Sequence, residues 1–128
     1  MLSVQIEKQG ARADYRLYYM RAAGEDQAGD WKSAEADLQK AISLKPDEAE
    51  LLNYLGYAWI SRGEHVQEGL KMIEKAIGQE PDNGAYVDSL GWAYFKLGDY
   101  PKAIEKLERA TELQGGDAEI NDLSLIHI

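Results

Sequence analysis

The sequence of 128 residues predicts an all-α fold, a right-handed α-solenoid of antiparallel helix-turn-helix hairpins. Three consecutive segments, 15–48, 49–83 and 84–117, align with one another over 34, 35 and 34 residues. Within each segment apolar residues recur at spacings of three, four and seven, and a glycine interrupts the pattern near the middle. Stacked copies of such a two-helix unit bury a continuous core that one unit alone cannot form.

The first helix of each segment is predicted from its apolar spacing and from the glycine that follows it. The spacing is clearest in the last two segments, at Leu52, Leu55, Gly56 and Trp59 and at Val87, Leu90, Gly91 and Tyr94. A glycine can adopt the left-handed conformation that ends a helix, and we expect this at Gly29, Gly63 and Gly98. Each of these glycines therefore marks the turn inside a hairpin.

The second helices are predicted from the residues that stop them. Pro46 and Pro81 follow the second helices of the first two segments, and Gly115-Gly116 follows the third. Pro101 falls in the first turn of its helix, where a missing N–H is tolerated. Small residues are expected where the two helices of a hairpin cross, in the pairs Ala22 with Ala34, Gly56 with Gly69, and Gly91 with Ala103.

These motifs resemble the tetratricopeptide repeat (TPR) family, whose pattern is a bulky residue, Leu-Gly, Tyr, Gly-Asp-Tyr, Ala, a bulky residue, Ala and Pro. Segment 84–117 matches almost fully, with Gly115 in place of the proline, and Gly69 replaces an alanine in the second segment. The first segment departs further, with Arg21 where leucine is expected and Glu25 where a buried aromatic residue is expected. The resemblance extends to the C-terminal repeats of longer bacterial TPR proteins, several of them associated with the cell envelope, which leaves bacterial cytoplasm and periplasm both open.

Both ends are expected to be pieces of neighbouring repeats. Residues 1–14 are interpreted as the end of a preceding second helix plus its turn, and 118–122 as the start of a truncated repeat. The tail LSLIHI, residues 123–128, resembles the translation of a transposon end used in sequencing libraries. We therefore expect this tail to be non-native, the alternative being a natural apolar C-terminus.

Composition and residue types exclude several classes of function. The formal charge of −9 repels nucleic acid, and no apolar stretch reaches the roughly 18 residues of a membrane span, so direct membrane insertion is not expected. With no cysteine there is no disulfide or thiol chemistry, and no calcium loop or glycine-rich phosphate motif is present. His65 in an interhelical turn and His127 in the tail have no expected partner. The sequence thus predicts no enzyme, catalytic residue, metal or cofactor.

The TPR resemblance implies a non-catalytic scaffold that binds a peptide or helix in a concave groove lined by the first helices. Family geometry places nine residues of interest there: Tyr19, Glu50, Asn53, Tyr57, Ile60, Asp88, Trp92, Phe95 and Lys96. The same geometry adds Ala23, Asp26, Gln27, Ser61 and Ala85. TPR domains that grip carboxylate tails need cations where Glu50 and Asp88 stand, so we expect a protein partner that is basic or amphipathic.

Two alternatives stay open at this point. Tyr57 and Trp92 either receive side chains of a peptide or brace adjacent repeats, whereas Trp31, Trp59 and Tyr94 are expected in the core. The chain as a whole could instead be a structural repeat segment of a larger envelope-associated protein. In that case self-association would use an uncapped terminal hairpin, with Leu107 and Leu113 in the exposed stacking surface.

Overall fold

A computed structural model of the protein describes residues 14–115, and in this part the helices are joined by turns, without a strand. Its six helices are α1 (Tyr15–Gln27), α2 (Trp31–Leu44), α3 (Ala49–Arg62), α4 (Val66–Gln79), α5 (Gly84–Lys96) and α6 (Tyr100–Leu113). The predicted all-α class is therefore confirmed. Most of the predicted end piece 1–14, the piece 118–122 and the tail 123–128 lie outside the described residues.

The chain divides into two compact units, Met1–Leu51 and Leu52–Ile128. In the first unit α1 packs against α2. In the second unit α6 packs against α5, and α5 also contacts α4. None of the helices described between residues 14 and 115 is long and apolar enough to cross a membrane.

Side-chain caps begin four of the helices. Asp14, Asp30 and Asp99 each accept a hydrogen bond from a backbone N–H in the first turn of the helix that follows, and Asn83 accepts two. Such a cap satisfies backbone donors that have no partner inside the helix. The acidic caps thus account for part of the negative charge as helix-supporting residues.

Glycine turns and prolines end the helices where the sequence predicts. Gly29, Gly63 and Gly98 have φ values of 87°, 73° and 85°, which confirms the left-handed turn expected in each hairpin. The helix α2 ends two residues before Pro46, and α4 ends two residues before Pro81. The bounds of the hairpins therefore follow from local backbone chemistry.

Backbones approach most closely where α3 crosses α4. A Cβ atom added to Gly56 would lie 2.6 Å from the carbonyl oxygen of Gly69, and one added to Gly69 would lie 2.8 Å from that of Gly56. The equivalent crossing of α5 and α6 is less tight, because a Cβ on Gly91 would first meet the Leu107 side chain, at 2.8 Å. The expected packing role of these glycines is confirmed.

An ion pair lies inside the first hairpin, between α1 and α2. The Arg21 guanidinium donates two hydrogen bonds to the Asp37 carboxylate, at 2.7 Å and 2.6 Å. Asp37 is only 6% exposed, and Glu25 lies beside it. Burial and then the adjacent Asp37 together raise the pKa of Glu25 to about 7. The two polar residues that depart from the TPR pattern thus belong to one buried network.

The apolar core confirms some predictions and corrects others. Trp31 and Trp59 are 8% and 6% exposed, as expected for core residues, and Tyr94 is partly buried against the core of the second unit. The prediction that Leu107 is exposed is wrong: it is 6% exposed because its side chain fills the space above Gly91. On α6 the exposed large apolar side chains are instead Tyr100 and Ile104.

Candidate functional site

Four aromatic side chains from three helices form a connected row in the second unit, which we call the aromatic ladder: Tyr57, Trp92, Phe95 and Tyr100. The rings of Tyr57 and Trp92 are stacked, with centroids 6.4 Å apart and planes inclined by 27°. Trp92 and Phe95 are stacked at 5.5 Å, and Tyr100 tilts against Phe95 at 5.5 Å. Offset and tilted arrangements at these distances are the favoured geometries of aromatic pairs.

Helical repetition explains how the sequence builds the ladder. Tyr57 and Trp92 occupy equivalent positions of successive hairpins, so they lie on matching faces of α3 and α5. Phe95 follows Trp92 by three residues, which places both on one face of α5. Tyr100 begins α6 directly after the turn at Gly98. The row is therefore a consequence of repeat spacing plus one short turn.

Ser61 links two rungs of the ladder. The indole Nε1–H of Trp92 donates a hydrogen bond of 3.1 Å to Ser61 Oγ, and the Ser61 side chain also lies near enough to the Tyr57 phenol to influence its pKa. Burial raises the pKa of Tyr57; Ser61 acts in the opposite direction, and the charge of Asp88 raises the pKa further. Tyr57 is consequently neutral at physiological pH. Sequence reasoning placed Ser61 in the groove but missed this orienting role.

Charged and polar groups border the ladder. Lys96 Nζ lies 5.7 Å from the centroid of the Trp92 ring, within the range of a cation–π contact. Asn53 lies one helical turn before Tyr57 on α3, and its buried Oδ1 has no hydrogen-bond partner among residues 14–115. An unsatisfied buried acceptor is uncommon in folded proteins.

A cavity of about 250 Å³ opens beside the ladder, where α3 and α5 end. It shares Ser61 and Lys96 with the surroundings of the ladder and is completed by Ile60, Arg62, Gly63, Val66 and Leu97. Ile60 was predicted as a groove residue, and this needs correction. It is 2% exposed because it packs in a core cluster with Ile73, Leu90 and Ala93, so it supports the cavity wall from beneath.

Besides Asn53 and Ile60, the nine predicted groove residues fall into two sets. Tyr57, Asp88, Trp92, Phe95 and Lys96 lie in or beside the ladder. Tyr19 and Glu50 line a different cavity, of about 270 Å³, within the first unit.

Among residues 14–115 no group of three or more His, Asp or Glu side chains is arranged to hold a metal ion. His65, expected to have no partner, does have two: its ring lies 4.7 Å from that of Trp59, and Nδ1 is 3.1 Å from Glu68 Oε1. Both contacts stabilise the turn before α4, where His65 adopts a left-handed φ of 44°.

Comparison with protein families gives a match along most of the chain. The sequence profile described as tetratricopeptide repeat matches residues 1–121. No curated protein matches the chain in sequence.

Solved structures share the same fold. A crystal structure of MamA is 24% identical with a TM-score of 0.74, covering 89% of this chain and 67% of its own. A second MamA structure is 26% identical with a TM-score of 0.69. The match covers 84% of this chain and 58% of that MamA chain. The Sgt2 TPR domain from Aspergillus fumigatus is 20% identical with a TM-score of 0.76, covering 88% and 73% of the two chains. These neighbours agree with the all-α solenoid class predicted from sequence.

Proposed function

The chain belongs to the tetratricopeptide repeat family, whose fold generally mediates protein–protein interaction, and from this premise we propose that it binds a peptide or a helix along the aromatic ladder. The observation that carries the proposal is the ladder itself, an organised row of rings on α3, α5 and the start of α6. TPR proteins are typically non-catalytic scaffolds, and the described side chains suit binding rather than catalysis.

The aromatic rings suit an interface because they are ordered before a partner arrives. Trp92 is held by Ser61, Tyr57 and Phe95, so little side-chain entropy remains to be lost on binding. Trp92 and Phe95 are half-buried and Tyr100 is 55% exposed, which leaves ring surface for apolar side chains of a partner. Asn53 Oδ1 is buried in the unbound chain, and it would accept a backbone N–H of the same partner only after the Asn53 side chain turns outward.

The charges favour a basic or amphipathic partner. Asp88 lies close enough to Tyr57 for its charge to act on the phenol, and the chain carries a formal charge of −9. A long-range negative potential steers cationic partners toward the surface and speeds their association. An acidic peptide would meet the repulsion of the chain's net charge, although Lys96 and Arg62 lie beside the ladder.

Replacing two rungs of the ladder tests the proposal. Peptides are first selected on the intact chain from a random display library, and their affinity is measured by calorimetry. We expect Tyr57→Ala with Trp92→Ala to weaken the selected peptides at least about tenfold, because central aromatic anchors carry most of the binding energy. Circular dichroism checks that the helix content of the variant is retained.

Ile104→Ala is the matched control, since Ile104 is 42% exposed on α6 and is not part of the ladder. This variant should bind with unchanged affinity. Undiminished binding by the folded double variant would mean that the rings only brace neighbouring helices and that the partner docks elsewhere.

The alternative of self-association has weaker support. It was expected to use Leu107 and Leu113 on the terminal hairpin, yet Leu107 is 6% exposed and Leu113 is only partly exposed. The large apolar side chains that α6 does expose are Tyr100 and Ile104, a smaller surface than stacking was expected to use. The ladder is the more organised of the two surfaces, and it is the one we assign to the partner.

A further inference from the structure

The first unit contains a cavity of about 270 Å³ between α1 and the start of α3. Leu51 is completely buried at its base, while Met20 on its wall is 56% exposed, an unusual exposure for a large apolar side chain. The remaining wall combines the two tyrosines Tyr15 and Tyr19 with the carboxylates of Glu48 and Glu50. Aromatic, thioether and carboxylate groups therefore surround one space.

The charge of this cavity is negative despite the presence of Arg16. The Arg16 guanidinium donates two hydrogen bonds to the Asp14 carboxylate, at 2.6 Å and 3.2 Å, so its charge is already compensated. Glu48 Oε1 accepts a bond of 3.3 Å from the Tyr15 hydroxyl, which leaves its second oxygen for another donor. Within residues 14–115 Glu50 forms no ion pair, and it is exposed at the cavity rim.

Helix stabilisation accounts for only part of this arrangement. Glu50 lies in the first turn of α3, where a negative charge is favourable to any helix. That effect does not require two tyrosines and an exposed methionine around a cavity with an apolar base. A long cationic side chain matches both parts, because its aliphatic stem packs on apolar surface while its head remains near carboxylates and aromatic faces.

We propose that this cavity is a subsite for one lysine or arginine side chain of the bound partner. The stem of that side chain packs against Met20 and the ring of Tyr19, above the buried Leu51, and its cationic head lies between the carboxylates of Glu48 and Glu50. The inference deepens the proposed function and rests on it for the presence of a basic partner, but it uses a separate set of residues. The partner must therefore carry one cationic side chain that reaches this cavity.

A pair of short peptides tests the subsite on the full chain. The probes are acetyl-Gly-Gly-Lys-Gly-Gly-amide and the same peptide with norleucine, which has a similar apolar stem and no charge. We expect the lysine peptide to shift the amide resonances of residues 15–20 and 48–51 and to bind about fivefold more tightly than the norleucine peptide. Equal affinity of the two peptides would overturn the proposal, because the cavity would then recognise only the apolar stem.

Charge-neutralising variants locate the effect. Glu48→Gln with Glu50→Gln keeps the shape of both side chains and should abolish the preference for lysine. The matched control is Glu105→Gln with Glu108→Gln, which removes the same charge from exposed positions of α6 and should keep the preference. A preference that survives in the Glu48/Glu50 variant, or disappears in the control, would overturn the assignment.

The subsite and the ladder fail in distinguishable ways. Tyr57 and Trp92 do not line this cavity, so their double alanine variant should still prefer the lysine peptide. Loss of lysine preference in the Tyr57/Trp92 variant would overturn the subsite as an independent feature. Loss of selected-peptide binding in that variant, with lysine preference retained, is the result expected when both proposals hold.

Discussion

The Gly56→Ala protein is expected to unfold at a clearly lower urea concentration than the wild type, with a loss of about 1–3 kcal/mol in the free energy of unfolding. The added methyl carbon would lie 2.6 Å from the Gly69 carbonyl oxygen and 3.0 Å from Ile73 Cγ1. Because the nearer obstacle is backbone, relief requires α3 and α4 to move apart. This cost exceeds the gain of up to about 1 kcal/mol that alanine normally brings to a helix.

Gly78→Ala provides the matched control in the same hairpin. A Cβ atom at Gly78 on α4 meets nothing within 4 Å, so only the helix-propensity gain remains, and this variant should be slightly more stable than the wild type. Gly91→Ala should cost less than Gly56→Ala, since its main obstacle is the movable Leu107 side chain. If Gly56→Ala and Gly78→Ala unfold at the same urea concentration, the close crossing of α3 and α4 is contradicted.

The second large effect is a pH dependence that arises from Glu25 in the first hairpin. Burial, Asp37 and Asp30 together raise the pKa of Glu25 to about 7 from a usual value of 4.5, and Arg21 opposes them. Burial alone would also raise the pKa of Asp37, but its hydrogen bonds with Arg21 and Glu25 lower it. A carboxyl group beside the Arg21–Asp37 pair therefore keeps its proton until about pH 7.

The free energy of unfolding depends on pH because the folded chain holds the Glu25 proton more tightly than the unfolded chain does. Between pH 4.5 and about 7 the unfolded chain releases the Glu25 proton while the folded chain retains it, so the free energy of unfolding falls as the pH rises. Glu25→Gln stays neutral and can still donate to Asp37. We expect it to remove this fall and to be more stable than the wild type by about 1–3 kcal/mol at pH 8.

Urea unfolding at several pH values, followed by circular dichroism, measures the effect. Glu74→Gln is the control, because Glu74 is exposed on α4 and should leave the wild-type profile unchanged. If the wild type and Glu25→Gln lose the same free energy of unfolding between pH 4.5 and 8, the presence of a protonated Glu25 in the folded chain is contradicted. Asp37 adds an opposite dependence below pH 4, where loss of its charge weakens the pair with Arg21.

The features predicted correctly from the sequence are those governed by local chemistry. The left-handed conformation at Gly63 and Gly98 favours glycine whatever surrounds it, and a proline ends a helix by removing a donor. The Gly56 and Gly69 crossing was also predictable, because small residues recur at the same two positions of every hairpin. Repeat spacing identifies a face of a helix, and that was sufficient to place Tyr57 and Trp92 together.

The features that were missed depend on side-chain pairing between helices. Spacing does not specify that the Trp92 indole turns toward Ser61, which is 31 residues earlier in the chain. It also does not show how far Leu107 and Ile60 bury, since that depends on the space that a facing glycine or core cluster leaves. The Arg21–Asp37 pair did leave a signal: opposite charges stand at positions that align with Leu90 and Lys106 of the third segment.

Chemical-shift mapping of a selected basic peptide on the isotope-labelled chain tests directly whether the aromatic ladder binds the partner. We expect the largest shifts at the amides of Tyr57 and Ser61 on α3 and of Asp88, Trp92 and Phe95 on α5, together with the indole N–H of Trp92. Shifts concentrated on the exposed faces of α4 and α6, with the Trp92 indole resonance unchanged, would contradict it.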